Sequence, residues 1–347
     1  MSHKIASVVI ATPSHWAFAK VAASSICKHN GGSCFVYLLG GADFPEIRGM
    51  KEVNCHVQHV EDFIDSFVLQ YILDRYTAAE ACFVLKPYVI SHLFDQEWNI
   101  VHYFDSDVKV FSNLEALSGE LVVGDILLTP HYLIPFFEDG YSPKPLTLLK
   151  AGVYNAGYVG VANREEGRAF IKWWSAMVLR YGKNEPQSGM CGDQRWLDLV
   201  PALFPTCRIL RDPGVNVAYW NLHQRQLAYS GDQLMCDEKE VLFFHFSGFS
   251  PDRPVCLSIF QNRVIVRKGD ILYGILKGYA EELLAAGHQD YCRLPYLYSR
   301  WWHRFPAKYR KLHKPLKSMM SWLGFTTPDN HAWPMKQGLL DLEKRRR

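Results

Sequence analysis

The hydrophobic pattern alternates between short β-branched runs and longer segments with helical spacing. Lys4 to Thr12 is an apolar run of strand length that stops at Pro13-Ser14, a turn and a candidate helix N-cap. His15 to Lys28 then has helical spacing, and Cys34 to Leu39 is a second short strand closed by Gly40-Gly41. Strand, crossover helix and strand in that order predict a parallel pair. Ala78 to Phe94 reads as a helix, with Pro87 as an interruption or a boundary. Ile100 to Phe104 is a third strand, ending at Asp105-Ser106-Asp107. Further strands are expected at Asp125 to Thr129, Gly157 to Ala162 and Val241 to Phe246. Asn163 is placed to cap a helix running to about Tyr181, with Phe170, Ile171, Trp174, Val178 and Tyr181 on its inner face. Ile271 to Ala286 is the last clear helix. The pattern defines an α/β body without internal repeats.

The 347 residues suffice for one large domain or two modest ones with a substantial core. Apolar residues at 48% and charged residues at 21% exclude wholesale disorder. No apolar run reaches spanning length, and the opening Met1 to Ile5 lacks the longer apolar region of a secretory leader, so a cytoplasmic protein is expected. The nine cysteines are scattered with no CxxC pair, which fits reduced thiols and neither a zinc knuckle nor a disulfide framework.

The net charge of +3 conceals an asymmetry. From Cys292 to Arg347 there are 13 basic and 3 acidic residues, against 25 basic and 32 acidic before it. This divides the chain into a body, 1–287, and a basic aromatic extension, 288–347. Between Tyr291 and Pro328 eight basic residues, from Arg293 to Lys317, interleave with Trp301, Trp302, Tyr309 and Trp322, with no acidic residue. Lys and Arg attract anionic headgroups and Trp and Tyr favour their depth, so 291–328 is expected to contact an anionic membrane surface peripherally on the inner face. A solvated extension is the plainer reading. Nucleic-acid binding is not expected, although such mixtures also suit single strands.

The sharpest chemical signal is Asp105-Ser106-Asp107, where an apolar strand ends in two carboxylates at i and i+2. In open α/β sheets ligands sit beyond the carboxyl ends of strands. Neighbouring carboxylates repel unless a cation lies between them, and a hard divalent ion with oxygen ligands commonly retains phosphates. The pattern points to a metal–diphosphate site.

Four ordered stretches make a resemblance specific. Leu85-Lys86-Pro87 with His102 to Val108 resembles the donor-site region of nucleotide-sugar glycosyltransferases of the GT-A fold, family 8 and neighbouring bacterial families above all. Tyr154 to Val159 is similar to their N-x-G strand. Gly192-Asp193-Gln194 with Trp196-Leu197 is similar to their D-Q helix, and His245-Phe246-Ser247-Gly248 to their H-x-x-G metal loop. The resemblance covers about residues 5–285.

It implies a GT-A, Rossmann-like mixed sheet flanked by helices and a transferase that moves a sugar from a nucleotide-diphosphate donor, a UDP-sugar, to a glycan or lipid-linked acceptor, with retention. Asp105, Asp107 and His245 would hold Mn2+ or Mg2+, with Asp107 the closer ligand. Ala11, Thr12 and Pro13 would meet the nucleobase and ribose, and Ser106, between the two carboxylates, would belong to the donor-binding set. Gly248 would let the backbone approach the diphosphate. Where the family has Lys-Pro-Trp, this chain has Phe249 to Pro254, and Arg253 would replace the lysine. Lys86 is either a second cation on the donor or a surface lysine. Asn155, Asp193 and Gln194 would face the sugar, with Asp193 available as a base. Asn216, Tyr219, Trp220 and Asn221 either line an acceptor pocket or pack over the sheet. A sugar-nucleotide nucleotidyltransferase would open with a glycine-rich basic loop, which Ala11 to Trp16 is not. A non-catalytic carbohydrate-binding relative would not need the intact acidic pair.

Overall fold

A computed structural model describes residues 3–30, 33–41 and 55–296. The seven-stranded main sheet is assembled from β1 (Ile5–Ala11), β2 (Ser33–Leu38), β3 (Cys55–His59), β4 (Ile100–Asp105), β6 (Ile126–Pro130), β7 (Tyr154–Ala162) and β10 (Cys207–Ile209). Their spatial order is β10-β6-β7-β4-β1-β2-β3. Strand β1 is parallel to both its neighbours, β2 and β4. Strand β7 runs antiparallel to both β4 and β6, so the sheet is mixed. Being covered on both faces, β1 and β7 are buried nearly end to end. This is why they read as continuous apolar runs without alternation.

Helices α1 (Trp16–His29), α2 (Ser66–Arg75), α3 (Ala78–Asp95), α4 (Glu115–Val123), α5 (Pro145–Ala151) and α6 (Glu165–Tyr181) flank the strands. Helix α3 starts with a capping box, in which Thr77 and Glu80 satisfy each other's backbone N–H groups. It runs through Pro87 without ending there. Asn163 does not cap α6, contrary to the sequence expectation. Its amide donates to the Phe94 and Trp98 carbonyls, 3.1 and 2.8 Å away, tying down the end of α3. The α6 entrance is served by Asp125, whose carboxylate accepts from Gly167 N–H at 3.3 Å and from Arg164 Nε at 2.7 Å. Of the predicted inner face, Phe170, Ile171, Trp174 and Val178 are buried, but Tyr181 is exposed. It sits in the last turn, with its ring 5.7 Å from that of Trp196.

A second small sheet positions the chemistry. It joins β5 (Val108–Val110), β11 (Val217–Ala218) and β15 (Phe243–His245), with β15 antiparallel to β5 and parallel to β11. The expected strand from Val241 to Phe246 thus contracts to three residues. Two two-residue strands, the exposed β8 (Asn184–Glu185) and the half-buried β9 (Met190–Cys191), pair between α6 and β10. A meander of β12 (Leu227–Ser230), β13 (Gln233–Cys236) and β14 (Lys239–Glu240) precedes β15. After the short helix α7 (Val200–Leu203), the long helix α8 (Ile271–Ala285) packs its apolar face on Phe18, Phe244 and Phe246. Helix α9 (His288–Tyr291) follows at once, with His288 buried and its ring 5.5 Å from that of Phe18. Most of the basic extension, 297–347, lies outside the described residues. No helix among the described residues is long and apolar enough to cross a membrane.

One core group makes stability depend on pH. His102 on β4 is fully buried between the Tyr158 hydroxyl, 3.0 Å away, and the Ser118 hydroxyl, 2.9 Å away. Burial pushes its pKa down to about 3, against an ordinary 6.5. The unfolded chain therefore binds this proton first, and stability falls as pH drops from 6.5 toward 3. The slope from this group approaches about 1.4 kcal/mol per pH unit. His102→Gln, which bonds both hydroxyls without titrating, should show a shallower slope in urea unfolding between pH 7 and pH 5. Equal slopes would remove His102 as the source.

Candidate metal centre and its surroundings

Strand β4 delivers Asp105 at its carboxyl end, and the following turn carries Ser106 and Asp107, all three half-buried. Pairing of β15 with β5 sets His245 opposite Val108, beside that turn. The Phe246 N–H donates to the Asp107 carbonyl at 2.8 Å and locks the junction. As a result His245 Nε2 lies 3.0 Å from Asp107 Oδ1 and 4.0 Å from Asp105 Oδ2. One ligand atom from each of the three side chains falls within 4.8 Å of the others. Two carboxylate oxygens and one imidazole nitrogen suit a divalent ion of the Mn2+ or Mg2+ type. Burial would lower the His245 pKa, but the charges of Asp107 and Asp105 outweigh it and raise it. Asp107 is lowered in turn, because His245 outweighs the burial that would raise it.

The other Asp105 oxygen is anchored from behind. Oδ1 accepts from the Tyr103 hydroxyl at 2.8 Å and pairs with Lys86 Nζ at 3.0 Å. Lys86 is 1% exposed and so is not the surface lysine of the plainer reading. Its ammonium also pairs with Asp193 at 2.9 Å and donates to the Ala156 carbonyl at 2.8 Å. An ammonium has three protons, and all three have acceptors within the protein. It therefore orients two carboxylates and has no free proton for a donor phosphate. The Tyr103 ring, with its centroid 4.7 Å from Nζ, adds a cation–π face. Burial opposes the Lys86 charge, but Asp105 and Asp193 outweigh it and raise the pKa. Burial pushes Asp193 up to about 6 despite Lys86.

Asp193 stands at the head of a 3-10 turn, Gln194–Leu199, where the sequence had suggested a regular helix. The Gln194 amide is fully engaged by β7 and its approach. Its oxygen accepts from Asn155 Nδ2 and from Ala156 N–H, both at 3.0 Å, and its nitrogen donates to the Ala151 carbonyl at 2.9 Å. Asn155 is buried on the same strand and faces His245. Between them lies Gly157, where a Cβ would come within 2.2 Å of His245 Cε1. No side chain fits there while the ring keeps its place.

At the end of β1, Ala11, Thr12 and Pro13 are buried. The Ala11 carbonyl accepts from Leu39 N–H and the Thr12 carbonyl from His15 N–H, both at 2.9 Å. The Thr12 hydroxyl is 3.1 Å from that of Ser14. Gly248 has a φ of +71°, and a Cβ there would meet Phe260 and Ser258 at 2.7 Å, so the turn after His245 requires glycine. Arg253, five residues on, is exposed and makes no side-chain hydrogen bond or ion pair among the described residues.

In the segment 216–221 the packed alternative holds for most of the residues. Asn216 and Asn221 do not face an open pocket; both are buried. Asn216 donates to Thr129 and Asn155, while Asn221 caps the Ala218 N–H and donates to the Asn216 carbonyl at 2.9 Å. Trp220 is also buried, with its ring 5.2 Å from those of both His245 and His131. Only Tyr219, half-buried beside Phe260, borders the surface. The sequence reading missed Tyr103 and His131. Tyr103 shares a strand face with Asp105 at i and i+2, which was a usable signal. His131 directly follows β6, one more polar group at a strand's carboxyl end.

The fold and site define an α/β protein with a mixed sheet and a candidate divalent-metal centre at the end of a central strand. No family model matches the sequence. Among curated proteins the chain is similar to two uncharacterized proteins of Bacillus subtilis (strain 168). YfnF is 30% identical over 181 residues, 49% of this chain and 57% of that protein. YfnD is 27% identical over 179 residues, 50% of this chain and 55% of that protein. The chain thus spans a little over half the length of the curated relatives it matches. Among solved structures it is similar to apo mouse xyloside xylosyltransferase 1, with a TM-score of 0.39 and 14% identity, over 71% of this chain and 97% of that one.

Proposed function

We propose that this chain is a divalent-metal-dependent glycosyltransferase of the GT-A type, moving a sugar from a nucleoside-diphosphate donor to a glycan or lipid-linked acceptor. The observation that carries this reading is the convergence of Asp105, Asp107 and His245 at the carboxyl end of β4. Those three residues would hold Mn2+ or Mg2+, which when bound supplies Lewis-acid stabilisation of a departing diphosphate. The guanidinium of Arg253, unpaired among the described residues and on the loop that Gly248 turns, supports a contact with phosphate oxygens. Ala11, Thr12 and Pro13 border the nucleoside side, and a UDP donor follows from the sequence resemblance. Asp193, held 2.9 Å from Lys86 Nζ, would be the carboxylate offered to the sugar. Transfer with retention, which needs no separate base, matches a site in which Asp193 is already paired. The basic and aromatic stretch 291–328 supports a peripheral contact with the inner face of a membrane, where a lipid-linked acceptor would be met.

The test is thermal unfolding with nucleoside diphosphates, with and without Mn2+. UDP at a hundred times its dissociation constant should stabilise the chain by about 2.7 kcal/mol when metal is present and far less without it. No metal-dependent shift with any nucleoside diphosphate would sink the donor-site assignment.

A further inference from the structure

We infer that Asn155 is a positioning residue: its side-chain oxygen fixes the proton of His245 on Nδ1, so that Nε2 turns a lone pair toward Asp105 and Asp107. The inference rests on the metal-centre part of the proposed function and replaces a role for Asn155 on the sugar.

The assignment starts from groups whose roles cannot be exchanged. A backbone N–H only donates, and a backbone carbonyl only accepts. Ala156 N–H donates to one end of the Gln194 amide at 3.0 Å, and the other end faces the Ala151 carbonyl at 2.9 Å. This orients Gln194, whose oxygen then takes a proton from Asn155 Nδ2 at 3.0 Å. Gly157 N–H donates to the opposite end of the Asn155 amide at 3.0 Å. Two backbone donors therefore set the Asn155 amide from both ends. Its oxygen accepts only, and it lies 3.2 Å from His245 Nδ1. A contact there requires a proton on Nδ1, so Nε2, 3.0 Å from Asp107 Oδ1, is the ring nitrogen that would meet an ion.

The surroundings hold this arrangement. Asn216 donates to the same Asn155 oxygen at 3.1 Å and to Thr129 Oγ1 at 2.9 Å. The second Asn155 amide proton faces His131 Nε2 at 3.3 Å, while His131 Nδ1 faces the Val153 carbonyl at 3.2 Å. Trp220 stands edge-on to the His245 ring at 5.2 Å, and the bare Gly157 lets the ring lie against β7. Partners behind a ligating imidazole commonly fix its tautomer and strengthen metal binding. Here the backbone of β7 dictates the protonation of a ring carried on β15.

The direct test uses the unmodified full chain, labelled with nitrogen-15 and loaded with Cd2+ as a diamagnetic probe ion. Long-range nitrogen–proton spectra should show His245 protonated on Nδ1, with cadmium on Nε2. A proton on Nε2, cadmium on Nδ1, or no cadmium at His245 would each overturn the inference. Substitution separates positioning from packing. Asn155→Ala should weaken Mn2+ binding, read by electron paramagnetic resonance of the free ion, by about 10–100-fold. Asn155→Asp keeps the acceptor but cannot donate to Gln194 or His131, and should remain within a few-fold of the original affinity. Original affinity in Asn155→Ala, or equal losses in both variants, would count against positioning through the oxygen. None of these readouts involves a nucleotide or sugar. A chain with the expected ring state but no transfer refutes the glycosyltransferase reading alone, and transfer with the opposite ring state refutes this inference alone.

Discussion

Asp107→Asn should abolish metal-dependent sugar transfer while leaving the fold intact. Asparagine matches aspartate in size, so the turn after β4 and the Phe246 N–H to Asp107 carbonyl bond are kept. What is removed is a negative oxygen 3.0 Å from His245 Nε2, at the point where the three side chains converge. An ion there loses one of two anionic ligands, and a departing diphosphate loses part of its stabilisation. Effects of this kind amount to several kcal/mol, so transfer should fall by on the order of a thousandfold. Mn2+ affinity should fall with it, as should the Mn2+-dependent thermal shift with UDP, while near-ultraviolet circular dichroism stays unchanged. Near-original turnover in this variant, with metal supplied, would refute the site.

The largest stability effect is expected at Lys86. Replacing it with methionine keeps much of the side-chain volume but leaves Asp105 and Asp193 without their shared cation in a water-poor setting. Removing one member of a buried charge set costs about 3–5 kcal/mol, chiefly through the uncompensated charges left behind. The urea midpoint of Lys86→Met should fall accordingly. Adding Asp193→Asn removes one of the stranded carboxylates and should recover part of the loss, a coupling a double-mutant cycle would read directly. A Lys86→Met midpoint within experimental error of the original would show that the ion set carries no weight in stability.

The fold was legible where burial is two-sided and the chain is mostly apolar, as in β1, β4 and β7. It was not legible where strands are short and exposed. The meander from Leu227 to Glu240 and the paired residues around Pro186 carry polar positions that read as loops. Only tertiary pairing makes them strands. The acidic pair and His245 were legible because strand ends concentrate chemistry and the motifs arrive in order. The layer behind them was not. Nothing local in Leu85-Lys86-Pro87 says that this helix face is sealed against Tyr103 and Ala156. Asn155, Gln194 and Asn216 look like sugar-binding amides in sequence, because their types suit hydroxyls. That their hydrogen-bonding capacity is largely taken up inside the protein follows only from the approach of β7, the 192–199 segment and the loop before β11.

The pairing of β15 with β5 has a consequence for the order of assembly. A growing chain exposes Asp105 and Asp107 long before Phe243–His245 is made, and the imidazole joins them only when the last strand of the small sheet docks. Until then the acidic pair lacks its nitrogen partner. Completion of the three-residue cluster is therefore a late event in maturation, a seal that closes once the distant parts of the polypeptide have met.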